Sequence, residues 1–198
     1  MEFLKATNLP FNPRTQISTL VVDAYADLLQ HFKKDVHKIT RALAESVLLE
    51  YFYVAVVNGE VAAIVACKKD KPPPVKLEKR VLVKHLGLIM GNLVYPVINK
   101  HMLEHRYPFK LSEQTASIEI VATTAKYRGQ GIAQGLMEHV MSELPYKNYV
   151  LEVIDINHAA IRLYEKMGFN EIARIASPKN SGFNHFVYLK KETACISG

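Results

Sequence analysis

The stretch "KYRGQGIAQGLMEHVM", from Lys126 to Met141, decides how the second half of the chain folds. Two glycines stand behind an arginine, and an apolar repeat of about four residues follows, which predicts a helix at residues 132–144. A helix N-terminus presents unpaired backbone N–H groups, and glycines before it let an anion approach the main chain closely. The stretch therefore predicts either a phosphate-binding loop or a tight strand-to-helix turn without a ligand.

Two better-known phosphate-binding loops do not match this stretch of sequence. A nucleotide P-loop requires Lys and then Ser or Thr after its last glycine, whereas Gly131 is followed by Ile132 and Ala133. A dinucleotide fingerprint requires a third glycine at the position that Gln134 occupies. Both classes of nucleotide site are therefore excluded.

Strand-like and helical periods alternate through the second half of the chain. Strands are predicted at residues 116–124, 148–156, 169–176 and 183–191, and a further helix at residues 158–167. Alternation on this scale indicates an α/β or α+β sheet covered by helices.

The first half of the chain predicts two helices followed by a β-hairpin. Apolar residues have helical spacing at residues 19–32 and 37–49. Two strand-like runs then meet at Asn58 and Gly59, a pair suited to the positive φ angles of a type I′ turn.

A proline-rich break separates this hairpin from a second helical region. Three prolines at residues 69–76 remove backbone donors and restrict the residues before them. Residues 77–103 are predicted as helical, with a bend or interruption near Gly91 and Pro96. The apolar run at residues 86–98 is too short to span a membrane, so a buried helix is expected there.

Composition bounds the class of protein. The 198 residues are 49% apolar and 22% charged, which is typical of one folded globular domain spanning 1–198. The net charge of +6 is scattered in short groups without interleaved aromatic residues, so we expect no nucleic-acid partner. The chain begins without a basic segment followed by an apolar run, so we expect no secretory signal. A cytoplasmic location is therefore expected.

Neither a disulfide framework nor a metal site is expected. Cys67 and Cys195 lie far apart and neither has a CxxC partner. His101 and His105 lie four residues apart, but without a third ligand we interpret them as solvated helix residues.

A second stretch, "LEVIDINHAAIRLYEKMGF", joins the glycine loop in one pattern, and together they resemble the GNAT superfamily of N-acetyltransferases. The family pattern Gln/Arg-x-x-Gly-x-Gly/Ala and a later pattern of Asn, Ala, Leu-Tyr and Gly-Phe are met, in order, by Arg128, Gly131, Ala133, Asn157, Ala160, Leu163, Tyr164, Gly168 and Phe169. The resemblance covers residues 116–190, and the earlier hairpin is compatible with the same fold.

The resemblance implies an α+β fold with a mixed, mostly antiparallel central sheet flanked by helices. It leaves residues 69–110 as a variable helical insertion before the strand that binds coenzyme A. It further implies transfer of an acetyl group from acetyl-CoA, without a metal, to a primary amine that attacks directly in a ternary complex.

Three segments are implied to bind acetyl-CoA. Loop amides would hold the pyrophosphate, and a strand at 121–123 that splays from residues 150–153 would pair with the pantetheine arm. The implied cofactor-binding residues are Val121, Ala122, Thr123, Arg128, Gly129, Gln130, Gly131, Ile132, Ala133, Asn157, Ala160 and Tyr164. Asn157 also suits the N-cap of the following helix, and the two roles can coexist.

Tyr164 is the implied catalytic residue beside the thioester sulfur. A thiolate leaves with a pKa near 8.5 and a phenol titrates at about 10, so Tyr164 suits a hydrogen-bond donor that completes proton transfer as the C–S bond breaks. The alternative interpretation is a core aromatic with a hydrogen-bonded hydroxyl.

Glu119 is the candidate general base, because an alkylammonium must lose its proton before it attacks. Ser117, Glu119 and Val121 are predicted to alternate onto the strand face that meets the thioester. A solvated or salt-bridged carboxylate is the alternative for Glu119, and Asp155 and His185 are reserve bases.

The sequence is compatible with acceptor amines on small molecules and on peptides. By position, Tyr25, Tyr51, Tyr53 and residues 77–103 are candidates for contacting it. The rival hypothesis is a regulatory module of the same fold that binds acyl-CoA without turnover. No membrane partner is expected, and a homodimer stays open.

Overall fold

The computed structural model of the protein describes residues 1–26, 29–69, 72–100, 107–179 and 181–193. Within these ranges the helices are α1 Arg14–Ala24, α2 Val36–Ser46, α3 Lys79–Leu86, α4 Leu88–Ile98, α5 Ile132–Glu143 and α6 His158–Lys166. The strands are β1 Glu2–Lys5, β2 Phe52–Val57, β3 Glu60–Lys68, β4 Thr115–Thr123, β5 Asn148–Ile154, β6 Asn170–Ala176 and β7 His185–Glu192.

The strands form one sheet in the order β1-β2-β3-β4-β5-β7-β6. The β4–β5 pair is parallel and the other neighbouring pairs are antiparallel. The predicted fold class, a mostly antiparallel mixed sheet flanked by helices, is therefore confirmed.

Two apolar clusters cover the two faces of this sheet. On the α1 face, Ile17 of α1, Leu43 of α2 and Leu82 of α3 are fully buried. On the α5 face, Leu136 of α5 and Tyr164 of α6 belong to the second cluster. Helices on both faces bury the sheet, so side chains that alternate along a strand enter different clusters.

The predicted hairpin is confirmed between β2 and β3. Asn58 has φ 52° and Gly59 has φ 79°, as a type I′ turn requires. Helix α5 begins at Ile132 as predicted and ends one residue early, because Leu144 is extended.

Helix α1 corrects the prediction of a helix at residues 19–32. It begins after Pro13 and ends at Ala24, with the Tyr25 N–H donating to Val21 O and Val22 O. Residues 27 and 28 of the predicted helix lie outside the described residues. Proline suits a helix start, which the apolar spacing alone did not register.

The helical insertion is interrupted at a different glycine from the two predicted sites. Gly87, with φ 81°, separates α3 from α4, whereas Gly91 and Pro96 both lie inside α4. A Cβ on Gly91 would stand 2.7 Å from the Val83 Cα, so this glycine permits close packing of the two helices. Pro96 removes one backbone donor without ending the helix, which continues to Ile98.

Candidate active site

The parallel pair β4–β5 opens along its length. Its register runs from Thr115 opposite Asn148 to Ile118 opposite Leu151, whereas β4 stays paired with β3 as far as Thr123. The edge of β4 beyond Ile118 therefore faces a gap, as the predicted splay requires. The gap begins after Leu151 rather than at residue 150, because Val150 still pairs with β4.

A β-bulge in β4 lies where this gap begins. Cys67 pairs with Ile118 and Ala66 with Ile120, so Glu119 is an extra residue without a partner on β3. Such a residue reverses the alternation of side chains that follow it. Ile118 accordingly packs on the α5 face and Ile120 on the α1 face.

The bulge corrects one prediction about side-chain direction. Ser117 and Glu119 share a side, since the Ser117 hydroxyl bonds the Glu119 carboxylate. Val121 instead packs against the cluster on the α5 face. The prediction that all three alternate onto one face is therefore wrong for Val121, because the strand is not regular at Glu119.

The glycine loop connects the open end of β4 to α5. Gly129 has φ 74° and Gly131 has φ 77°, and a Cβ on either would meet nothing within 4 Å. Gly135 N–H donates to Gly131 O at 3.0 Å, and the backbone N–H groups of residues 129–134 donate no hydrogen bond within the described ranges. The loop thus presents a run of unpaired donors to open space.

Side chains hold this loop in place. Arg128 Nε donates to Thr123 O at 3.1 Å, and Gln130 Nε2 donates to Lys126 O at 3.1 Å. Tyr127 and Ile132 are buried at the two ends of the loop. The donors are therefore arranged before any ligand arrives.

Helix α6 positions Asn157 and Tyr164. Asn157 is the N-cap, with Oδ1 accepting from Ala160 N–H at 3.2 Å, which matches the predicted capping role. Tyr164 is 7% exposed, and its ring centroid lies 6.0 Å from that of Phe169. Its hydroxyl has no hydrogen bond within the described chain, and burial raises the pKa of Tyr164 to about 12.

Glu119 is held by two neighbours on the α1 face. Ser117 Oγ donates to Glu119 Oε1 at 2.5 Å, and Lys68 Nζ lies 3.4 Å from the same oxygen. The side chains of Lys68 and Glu119 are 14% and 10% exposed. The contact between Lys68 and Glu119 depends on how β3 pairs with β4, so the sequence alone did not predict it.

Comparison with known proteins gives this arrangement a family. A family model described as Acetyltransferase (GNAT) family matches residues 15–169, which is more than half of the chain. The chain belongs to the GNAT family.

Relatives of this GNAT chain agree with that assignment. The [Ribosomal protein bS18]-alanine N-acetyltransferase of Escherichia coli (strain K12) is 41% identical over 59 residues, which span 28% of this chain and 40% of that protein. An N-acetyltransferase from Staphylococcus aureus Mu50 has a TM-score of 0.64 at 20% identity, covering 96% of this chain and all of that one. The NatC complex bound to Gag peptide and CoA has a TM-score of 0.54 at 19% identity, covering 98% and 100% of the two chains. These structural likenesses concern the fold.

Two tyrosines of this GNAT chain lie close enough to Glu119 for its charge to act on them. Burial, and then the charges of Glu119 and Glu152, raise the pKa of Tyr25 at the end of α1. The same causes raise the pKa of Tyr107, whose hydroxyl hydrogen-bonds Ser117. The insertion therefore reaches the site through Tyr107, which lies beyond the predicted segment 77–103.

The other two predicted acceptor tyrosines lie elsewhere. Tyr53 belongs to the cluster on the α5 face, opposite Glu119. With Tyr51, Tyr146 and Lys5 it lines a recess of about 290 Å³. Of the three tyrosines proposed from position, the structure thus brings Tyr25 to the site.

The reserve bases pair with each other. His185 Nδ1 and Asp155 Oδ2 lie 3.1 Å apart. Desolvation acts to raise the pKa of Asp155, but hydrogen bonds from His185 and from the Asn184 N–H outweigh it and hold the pKa below its usual value. The Asp155 carboxylate and the His185 imidazole are thus already paired with each other.

Across the described ranges, no group of three or more His, Cys, Asp or Glu side chains is placed to hold a metal ion. His101 and His105 lie outside the described residues. None of the described helices is long and apolar enough to cross a membrane.

Proposed function

We propose that the protein is an N-acetyltransferase that moves the acetyl group of acetyl-CoA to a primary amine in a ternary complex. The observation that carries this proposal is the run of unpaired N–H donors at residues 129–134, beside the open edge of β4. Backbone donors at a helix N-terminus suit a pyrophosphate, and an open strand edge suits the amide groups of a pantetheine arm.

Each end of the co-substrate has a set of residues to meet it. The pyrophosphate would contact the amides from Arg128 to Ala133. The pantetheine would follow Val121, Ala122 and Thr123 of β4, with Asn157 and Ala160 of α6 on its other side. The preformed loop lowers the entropy cost of binding, because its donors are already oriented.

Glu119 and Tyr164 would handle the protons. An alkylammonium with a pKa near 10.4 costs about 4 to 5 kcal/mol to deprotonate at pH 7, and Glu119 would accept that proton directly or through water. With its pKa raised to about 12, Tyr164 would give a proton to a thiolate at a cost of about 5 kcal/mol. Tyr164 therefore acts as a hydrogen-bond donor to the departing sulfur.

The acceptor would be a primary amine on a small molecule or a peptide. The name of the Escherichia coli relative specifies an alanine of a ribosomal protein, and the shared stretch covers 40% of that relative. A peptide α-amine therefore belongs among the acceptors to be tried first.

The second candidate is an acyl-CoA-binding module without turnover. The contacts of Lys68 and Ser117 with Glu119 favour it, because a carboxylate with two partners can serve structure alone.

One assay separates the two candidates. Free CoA is measured while acetyl-CoA is incubated with tyramine, spermidine, glucosamine, lysine or a peptide that begins with alanine. Release that depends on the protein and on one of these amines supports the enzyme. Tight binding of acetyl-CoA without release from any of them supports the regulatory module.

A further inference from the structure

The two oxygens of the Glu119 carboxylate have different surroundings. Ser117 and Lys68 both contact Oε1. Within the described ranges, no hydrogen bond reaches Oε2. Oε2 is not among the buried side-chain atoms that lack a hydrogen-bond partner in the described chain, so this oxygen is open to solvent.

The single hydroxyl proton of Ser117 has two acceptors within reach. A serine hydroxyl donates one proton and can accept others. Ser117 lies 2.5 Å from Glu119 Oε1 and 3.3 Å from Lys68 O, so the shorter contact to the carboxylate takes the proton. The Tyr107 hydroxyl also lies within hydrogen-bond reach of Ser117. Glu119 Oε1 thus accepts the proton of the Ser117 hydroxyl.

The titratable groups around Glu119 come from three parts of the chain. The groups facing it are Tyr25 from the end of α1, Cys67 and Lys68 from β3, and Tyr107 near the end of the insertion. Burial raises the pKa of Tyr25, Tyr107 and Cys67 further above neutrality, so these groups carry no charge near pH 7. The charge of Glu152 acts on the same two tyrosines as that of Glu119. Within the described part of the chain, Lys68 is the cation that lies within ion-pair distance of Glu119.

We propose that Lys68 and Ser117 are positioning residues that hold Oε1 of Glu119 and leave Oε2 facing the acceptor amine. The inference rests on the proposed role of Glu119 as base. Oε2 takes one proton from the ammonium group, and the neutral nitrogen then forms the bond to the acetyl carbon. The C–S bond breaks, the nitrogen releases its second proton to water, and the sulfur leaves as a thiolate hydrogen-bonded by Tyr164.

The pH dependence of kcat/KM tests the role of Lys68. In Lys68→Met, with the most reactive amine of the panel, the lower inflection of the profile should rise by about one pH unit, because an adjacent opposite charge has an effect of this size or larger. Activity should then fall about tenfold below the inflection and little above it. Acetyl-CoA affinity, measured by calorimetry, should not change.

Two further variants complete the design. Lys69→Met removes a charge from the neighbouring exposed lysine and should keep the wild-type profile. Ser117→Ala should lower kcat with a smaller shift of the inflection, because the ion pair survives. In the Glu119→Gln background, Lys68→Met should have no further effect, since the two residues act through one carboxylate.

A second measurement does not depend on turnover. The carboxylate carbons of ¹³C-labelled glutamate are titrated by NMR, with the Glu119 signal assigned by its absence in Glu119→Gln. Its midpoint should rise in Lys68→Met and stay in place in Lys69→Met. The inference is overturned when Lys68→Met and Lys69→Met agree in midpoint and profile while the wild type acetylates an amine. Absence of acetylation of every amine by the wild type overturns the proposed function and this inference together.

Discussion

Tyr164 and Glu119 differ in how their surroundings control their protons. Tyr164 lies in an apolar cluster, and burial raises the pKa of its phenol to about 12. Glu119 lies on the opposite side of β4, where Lys68 and Ser117 contact one of its two oxygens. One residue is thus suited to donate a hydrogen bond and the other to accept a proton.

Replacing Tyr164 with Phe should leave acetyl-CoA binding nearly intact and lower turnover. Acid assistance is typically worth 10²- to 10⁴-fold, and a donor that only hydrogen-bonds the thiolate belongs near about 10²-fold. With a pKa of about 12, Tyr164 should cause no loss of rate at high pH until the solution approaches that value. Calorimetry and steady-state rates check both points. A wild-type rate in Tyr164→Phe would leave Tyr164 as a core aromatic.

Replacing Glu119 with Gln keeps the shape of the side chain and removes the proton acceptor. We expect a loss of about 10²-fold or more in kcat/KM near pH 7, with partial recovery at high pH, where solvent deprotonates the amine. The pH profile of the variant checks this. Lower thermal stability with an unchanged profile would assign Glu119 a structural role and return attention to Asp155, His185 or a water chain.

Elements of the fold carry the two ligand surfaces. The open edge of β4 results from the end of its pairing with β5, and the donor run results from α5 beginning at Ile132 after two left-handed glycines. Both features lie in the backbone, so substitutions that alter φ test them more directly than changes of polar side chains.

Replacing Gly131 with Val should weaken acetyl-CoA binding about a hundredfold or more. The new side chain would strain a φ of 77° and stand in the open space where the loop donors point. Two lost hydrogen bonds to a charged group account for the magnitude. Gly87→Val is the matched control, because Gly87 has φ 81° and nothing within 4 Å but lies between α3 and α4. Calorimetry that gave the two variants equal affinity would remove the loop from the site.

Replacing Gly91 with Ala tests the packing of the insertion. The added methyl would stand 2.7 Å from the backbone of Val83, so we expect about 1 to 3 kcal/mol of destabilisation. Gly135→Ala is the control, because its methyl would meet the far end of the Phe3 ring, which can move. Thermal unfolding should show a clear loss for the first variant and little change for the second. The reverse order would contradict the close contact of α3 with α4.

At the scale of the whole molecule, local patterns predicted the fold and part of the site. The Asn58-Gly59 turn, the start of α5 and the Asn157 cap follow from backbone preferences of a few residues, and the structure has all three. The bulge at Glu119 depends on the register between β3 and β4, and the alternation pattern of a single strand does not reveal that register. For the same reason, the contacts of Lys68 and Tyr107 with this group could not be predicted.

The most direct test of the account follows the acetyl group itself. Acetyl-CoA labelled with ¹³C in the acetyl group is incubated with the amine panel and the protein, and the amines are analysed by mass spectrometry. The account predicts labelled acetyl on the nitrogen of at least one amine, formed more slowly by Tyr164→Phe and Glu119→Gln. Label that stays on CoA with every amine, while acetyl-CoA binds through the loop, would contradict it.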